Sequence, residues 1–528
     1  MKQYLVTAKE MKRYDTNTIE KYHMPGLLLM ERAALVTVEE LQRLRGSAPC
    51  RILVVSGRGN NGGDGLAIGR LLMLQGYEVT FVIPCEKSYG NPPACTEETR
   101  HQIDILHAYQ AQIFSTMQEG EYDIVIDAIF GIGLSRPVAG IWQEIIQWIN
   151  KSNAFVCSVD IPSGIHADTG EIMGCAVRAD LTVAYGFRKT GHMLYPGAAC
   201  SGKLVCRQMG IDEHSFLNEK PFWYTYIGRE YGLLPVRPAD GNKGTFGKAL
   251  IIAGSREIAG AAMMAAKSTF RIGAGMVKVV TAEENRAALQ QYIPEAMLLT
   301  YTDDMSGDKA FMTALMEAEA WADCILIGPG IGTGRAADNL LRFGILESSL
   351  PLVIDADGLN LLAQDRELQA TMADRDEQGR TIILTPHLGE FARLFGCTVA
   401  QVKGQLTEYP LLLAGRLHCV IVCKDARTVV VQDKDQQGYL NATGNAGMAT
   451  AGSGDVLAGI ITGLLAQGME GMEAAVAGVY LHGYAGDLAA ARETGTAMMA
   501  TDIIDCVKDA VAQIENEAKK ESSEAELC

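Results

Sequence analysis

An aspartate set into the start of a helix made of small residues is able to do chemistry. The stretch NATGNAGMATAGSGDVLAGIITGLL holds one such residue: Gly452, Ser453, Gly454 and Asp455 lead into an apolar run. Backbone N–H groups at a helix start can hold a phosphate or a developing anion, and the helix dipole favours negative charge there. Asp455, beside them, can take a proton from a substrate hydroxyl. Its plainer role is to cap the helix. Other strand ends offer partners. CILIGPGIGTG supplies a loop around Gly330, and LVIDADGLNLL presents Asp355, Asp357 and Asn360. IILTPHLGEFARL presents His387 and Glu390, and HCVIVCKDARTVV presents Lys424 and Thr428. IDADGLN can hold Mg²⁺ through water or can be a capped turn.

A second constellation lies earlier in the chain. In RILVVSGRGNNGGDG, Gly57, Gly59 and Gly62 match GxGxxG, with Asn60, Asn61 and Asp64 added among them. Glycines let backbone N–H groups approach a phosphate, and asparagines add further donors and acceptors. A sharp turn capped by Asn and Asp is the structural alternative. YDIVIDAIFGIGLSRPVAG ends a run in Asp127 and opens a glycine-rich loop with Arg136, and FVCSVDIPSGIHADTG ends another in Asp160, followed by Ser163. Asn61, Asp127 and Ser163 carry the oxygen ligands that a monovalent or other hard cation takes. Asp160 is a candidate for proton transfer, or the cap of its own turn.

These residues need a scaffold that gathers strand ends. Short Val- and Ile-rich runs (RILVVSG, YEVTFVIP, YDIVIDAIFG, FVCSVDIP, LTVAYGF) alternate with stretches of helical spacing such as DGLAIGRLLMLQGY. That alternation predicts a parallel sheet covered on both faces, with ligands beyond the carboxyl ends of its strands. Residues 8–45 read as two helices before the first strand. The pattern lapses between about 216 and 240, where a domain boundary is expected, and a second series follows: KALIIAG, MVKVVTA, CILIGPG, LVIDADG, TIILTPH, HCVIVCKD and TVVVQD. Long helical patterns from Gly454 to Ile514 close it, and the last residues read as a polar, frayed tail.

The totals point to two large domains or three small ones. The chain has 528 residues, 48% of them apolar and 21% charged, more than one ordinary core holds. With Lys plus Arg at 46, Asp plus Glu at 63 and a net charge of −17, the surface repels nucleic acid and anionic lipid. No apolar run reaches the ~20 residues of a membrane span. The 13 cysteines are scattered without a CxxC pair, as reduced cytosolic thiols are. A cytoplasmic enzyme is expected, and a homo-oligomer.

GRGNNGGDG, DAIFGIGL and VDIPSGIHADTG, in that order, resemble the NAD(P)H-hydrate epimerase family over about residues 1–215. The resemblance implies a Rossmann-like fold and a bound potassium ion. It implies that Asn60, Asn61, Gly62, Gly63 and Asp64 hold the hydrated nucleotide together with Gly131, Ile132, Gly133, Leu134, Ser135, Arg136 and Pro137. It puts K⁺ on Asn61, Asp127 and Ser163, and Asp160 near the reacting carbon. Ile132 stands where relatives often carry Thr, which removes a hydroxyl.

GNKGTFGKALIIAGS, GPGIG, DADGLN, TPHLGE, KDART and GNAGMATAGSGD resemble the ADP-dependent NAD(P)H-hydrate dehydratase family over about residues 226–510. That family has a ribokinase-like fold. The resemblance implies that Ala261, Gly330, His387 and Asp455 contact the hydrated nicotinamide. It implies that Lys424, Asp425, Ala426, Arg427, Thr428 and Gly454 bind the adenine nucleotide, ADP, with Mg²⁺ on its phosphates. Asn242 replaces a His common before KG, and Leu388 replaces a Pro common after the His.

The expectation is therefore an α/β protein of two three-layer domains, a Rossmann-like parallel-sheet domain over 1–218 and a ribokinase-like domain over 226–516, with a polar tail over 517–528. Its substrates would be hydrated NADH and NADPH (NADHX and NADPHX) with ADP, and its two activities epimerisation and dehydration. Three other readings compete: a ribokinase-like kinase of a vitamin-precursor alcohol fused to a nucleotide-binding module, a non-catalytic first domain, and an NAD-linked dehydrogenase resting on the literal GxGxxG.

Overall fold

A computed structural model describes residues 2–46, 50–84, 95–228, 232–302, 308–376, 379–433 and 437–525. Cys85, Cys528 and the end of the polar tail lie outside them. The chain divides into two compact units, Tyr4–Trp223 and, with the first three residues, Tyr224–Cys528.

In the first unit the five expected runs form strands, and two more join them. The sheet order is Ile113–Phe114, Glu78–Val82, Arg51–Ser56, Ile124–Ala128, Phe155–Val159, Leu181–Tyr185, Lys203–Arg207, all neighbours parallel. Side chains alternate across a strand, and here both faces are buried. Ile52, Val54, Ile124 and Ile126 enter one core with the helices Gly26–Arg45 and Asn60–Leu74. Leu53, Val55 and Val125 enter another with the helix Ile141–Lys151. The two helices expected over 8–45 are Ala8–Lys21 and Gly26–Arg45. A strand that the sequence reading missed, Lys2–Val6, precedes them, and its Leu5 and Val6 pair with Arg188 and Lys189.

In the second unit the order is Met297–Tyr301, Met276–Ala282, Lys248–Ile252, Cys324–Ile327, Leu352–Ile354, Ile382–Leu384, Val420–Cys423, Val429–Gln432, Gly438–Leu440. The first seven run parallel. The last two are antiparallel, which corrects the expectation of an all-parallel series. The reason is length: KDART is too short to carry a crossover, so it can only close a hairpin. The helices Ala259–Arg271 and Ser453–Ala466 cross closely on one face, because a Cβ on Gly459 would lie 2.1 Å from Ser268 Oγ. The last helix spans Ala500–Ala525, past the Ile514 where helical patterning was expected to close. EAKKESSEA contains strong helix formers and no Gly or Pro to stop it. Among the described residues no helix is long and apolar enough to cross a membrane, and the cysteines are free thiols.

Candidate active sites

The first site sits where the strand Arg51–Ser56 turns into the helix Asn60–Leu74. The turn is tight enough to require glycine: a Cβ on Gly57 would lie 2.0 Å from Ile129 O, and one on Gly62 would lie 2.2 Å from Gly57 O. Gly59 differs, with open space around it. Beyond this edge lies a cavity of about 1090 Å³, lined by Asn60, Asn61, Asp64, the loop Gly131–Ala139, Asp160 and Lys189. Gly63 lies behind Asn61, packed so that a Cβ would strike Met30. Ser135, Arg136 and Pro137 form an exposed rim. Ile132 turns its side chain towards the core and Leu134 packs likewise, so the missing hydroxyl at 132 is replaced by packing.

Asp127, fully buried at the end of its strand, accepts from Ser158 Oγ at 2.7 Å and from Ser163 N at 2.9 Å and Oγ at 2.5 Å. Burial pushes its carboxyl up, and these hydrogen bonds pull it back. Asn61 Nδ2 is buried with no hydrogen-bond partner. The two ends of an amide exchange by a half-turn, so Asn61 can instead aim its oxygen at this spot. One carboxylate, one hydroxyl and one unclaimed amide fit a monovalent cation. No cluster of three or more His, Cys, Asp or Glu that could hold a metal ion occurs among the described residues.

Asp160 adopts a left-handed backbone, φ +62°, a conformation that few residues other than glycine take. Its Oδ1 accepts from Tyr185 N at 3.0 Å and forms an ion pair with Lys189 Nζ. Lys189 is fully buried and was missed in the sequence. His192 Nδ1 accepts from Lys189 N at 3.0 Å while Nε2 faces Asp160 O at 2.9 Å. Burial, then the Lys189 charge, holds that imidazole neutral, with its pKa lowered to about 3.

The second site gathers on the strand ends of the other unit. Lys424 Nζ donates to Asp355 Oδ1 at 2.7 Å, and a Cβ on Gly454 would lie 3.2 Å from that ammonium. Asp455 stands in the first turn of the helix after Gly452, whose φ is +89°. Burial, then the Asp355 charge, raises its pKa to about 7 against the opposing Lys424. Burial alone would lower Lys424, but Asp355, Glu390 and Asp455 hold it up. Gly330 and Ala261 touch: a Cβ on Gly330 would be 2.9 Å from Ala261 Cβ.

His387 caps its helix. Nδ1 accepts from Gly389 N at 2.9 Å, Glu390 Oε2 accepts from His387 N at 2.8 Å, and Nε2 lies 3.2 Å from Glu390 Oε1. Both ring nitrogens are used locally, so only an exposed ring face is left for a ligand. The bridge His387↔Lys424 brings this cap beside the KDART hairpin. In that hairpin Asp425 is half-buried, Ala426 exposed, Arg427 donates to Ala442 O at 3.1 Å, and Thr428 O accepts from Asn441 N at 2.9 Å. The polar groups of DADGLN are engaged too: Asp357 accepts from Gly332 N at 2.9 Å, and the amide oxygen of Asn360 accepts from Arg393 at 2.8 Å. Asn242 accepts from Gly244 N at 2.8 Å and so closes its own turn, and Leu388 is buried.

Two α/β units, each gathering ionisable groups and glycine-built helix starts at its strand ends, define a two-site enzyme. Residues 249–509 match the family described as NAD(P)H-hydrate dehydratase, and residues 26–191 match that described as YjeF-related protein N-terminus. The bifunctional NAD(P)H-hydrate repair enzyme of Moorella thermoacetica is 35% identical, with 98% of both chains covered. That of Thermofilum pendens is 36% identical over 92% of this chain and 91% of its own, and that of Escherichia coli 34% over 85% and 83%. Among solved structures, the ADP/ATP-dependent NAD(P)H-hydrate dehydratase of Bacillus subtilis is 29% identical with a TM-score of 0.45, covering 53% of this chain and 95% of its own. A ribokinase-like superfamily protein of Enterococcus faecalis is 28% identical with a TM-score of 0.46, covering 54% of this chain and 95% of its own. The chain belongs to the bifunctional NAD(P)H-hydrate repair enzymes, and it is an isomerase and a lyase, an epimerase half followed by a dehydratase half.

Proposed function

We propose that the second site uses ADP to dehydrate S-NAD(P)HX, releasing AMP and phosphate, and that the first site supplies it by interconverting the R and S hydrates. The observation that carries this reading is Asp455, a carboxyl raised to about 7 at the first turn of a glycine-built helix. A base with a pKa near the working pH is efficient. Asp455 takes the proton of the C6 hydroxyl, and the oxygen attacks the terminal phosphorus of ADP, so that AMP leaves. The N–H groups of the Gly452–Asp455 turn face the moving phosphoryl. Phosphate then departs from C6 with the C–O electron pair as C5 gives up its proton to it, which restores the dihydronicotinamide. Ala261, Gly330 and the exposed face of His387 bound the nicotinamide, and Lys424–Thr428 with Gly454 bound the nucleotide. Mg²⁺ on the nucleotide phosphates would neutralise their charge; that ion ordinarily takes only one or two carboxylates from a protein.

In the first site Asn60–Asp64 and Gly131–Pro137 border the hydrated nucleotide, and K⁺ on Asn61, Asp127 and Ser163 would offset negative charge there. Asp160 takes the proton that water loses on adding back to C6. The test is the purified full chain with mixed R and S hydrates, ADP or ATP, Mg²⁺ and K⁺, followed by reduced-nicotinamide absorbance. Consumption of both epimers is expected, with one AMP per turnover from ADP and one ADP per turnover from ATP. Absorbance that returns without nucleotide, or that stops when the S hydrate is gone, overturns the reading.

A further inference from the structure

Asp64 shares the first cavity with Asp160 and comes from a different element, the helix Asn60–Leu74. Epimerising C6 means breaking a bond at a carbon that carries both a hydroxyl and the ring nitrogen. Hydroxide leaves poorly, so an acid must accompany it. Three of the other proton carriers here are committed, while Asp15 and Glu98 border the same cavity from two other helices. Tyr185 shares its hydroxyl hydrogen bond with Thr37 at 2.7 Å, His192 has both ring nitrogens engaged, and Lys189 is paired with Asp160. Asp64 has no hydrogen-bond donor among the described residues and borders the cavity.

We propose that Asp64 is the acid of the epimerase, which delivers a proton to the C6 hydroxyl so that it departs as water; this rests on the epimerase reading of the first site. The C6–O bond breaks with its electron pair going to oxygen, and the N1 lone pair closes a C6=N1 bond. C6 is then planar and the ring cationic, beside the Asp160 carboxylate. Water adding to the opposite face forms the new C6–O bond and gives its proton to Asp160. That proton passes back to Asp64 through water in the cavity, so atoms and charge balance over the cycle.

The surroundings of Asp64 suit an acid. Burial raises its pKa well above the ordinary range, the charges of Asp160 and Asp15 raise it further, and Lys189 opposes them. Tyr185 borders the same cavity as a neutral phenol, itself raised by burial and by the Asp64 charge. A carboxyl kept protonated next to an ion-paired one is the arrangement that separates acid from base in a two-carboxylate site.

The experiment follows R-to-S conversion by the full chain in H₂¹⁸O without nucleotide. One ¹⁸O at C6 per inversion is expected, with a rate that falls as pH rises and Asp64 loses its proton. Asp64→Asn should slow conversion on the order of 10²–10⁴-fold and flatten that pH dependence. Asp64→Glu should restore part of both, and Asp15→Asn should keep the pH dependence. Inversion by the unaltered chain without ¹⁸O, or an Asp64→Asn chain with unchanged rate and pH profile, overturns the assignment alone. An unaltered chain that never converts the R hydrate overturns the epimerase reading and this inference with it.

Discussion

Lys424 Nζ and Asp355 Oδ1 lie 2.7 Å apart, with only 1% of the Asp355 side chain exposed, under the helix start that carries Asp455. The pair is a buried counter-charge for a site that must handle phosphates. Breaking a buried pair from one side leaves an uncompensated charge and costs about 3–5 kcal/mol. Lys424→Met is therefore expected to lower the denaturant midpoint of the second unit markedly. Lys424→Met with Asp355→Leu should recover much of it. Urea unfolding of the full chain checks this, with the fluorescence of Trp321 as a local reporter.

The same cluster sets a pH profile for dehydration. Asp455 acts as a base only when deprotonated, and its pKa is raised to about 7, so the dehydratase rate should climb as pH rises through that value. Asp455→Asn should cost on the order of 10²–10⁴-fold and remove the climb. Steady-state rates on the pure S hydrate with ADP measure both, while R-to-S conversion by the same protein stays at its original rate.

The two glycines of the first turn should answer differently to a methyl group. At Gly62 a Cβ would meet Gly57 O at 2.2 Å, a backbone atom that cannot swing away. Overpacking of that kind costs about 1–3 kcal/mol, so Gly62→Ala should lower the melting temperature of the first unit. Gly59 borders the cavity with nothing near its Cβ position. Gly59→Ala should leave stability within about 0.5 kcal/mol while raising KM for the hydrate. Calorimetry with an epimerase assay separates the two.

What could be seen in the sequence was whatever is local. Val- and Ile-rich runs marked the expected strands of both units, and the glycine runs marked turns that do need glycine. What was hidden needed a partner far along the chain. Lys189 ends an ordinary-looking GFRK, and nothing nearby says that it will be buried against Asp160. The strand Lys203–Arg207 is half-buried and carries charges at both ends, so it lacked the continuous apolar signal. KDART gave a motif but not the antiparallel hairpin that it closes. DADGLN read as a Mg²⁺ loop or a capped turn, and its Asp355, Asp357 and Asn360 each hold a protein group.

Lys189 and Asp160 allow the sharpest test of how the first site is held. Lys189 is fully buried, its ammonium also reaches Tyr185 O at 3.3 Å, and its backbone N–H donates to His192. Neither member of such a pair is comfortable alone. Lys189→Met leaves the Asp160 charge without its partner, and Asp160→Asn leaves a buried ammonium; each should cost about 3–5 kcal/mol. Replacing both removes the charges together, so the double variant should be more stable than the two single losses add up to, by a coupling of about 0.5–3 kcal/mol. Activity should not follow stability. The double variant regains the fold but lacks the carboxylate that receives the proton at C6, so R-to-S conversion stays lost while dehydration of the S hydrate continues. If the stability changes simply add, Lys189 is not held by Asp160. If the double variant epimerises at the original rate, Asp160 is a structural residue and the proton at C6 is handled elsewhere.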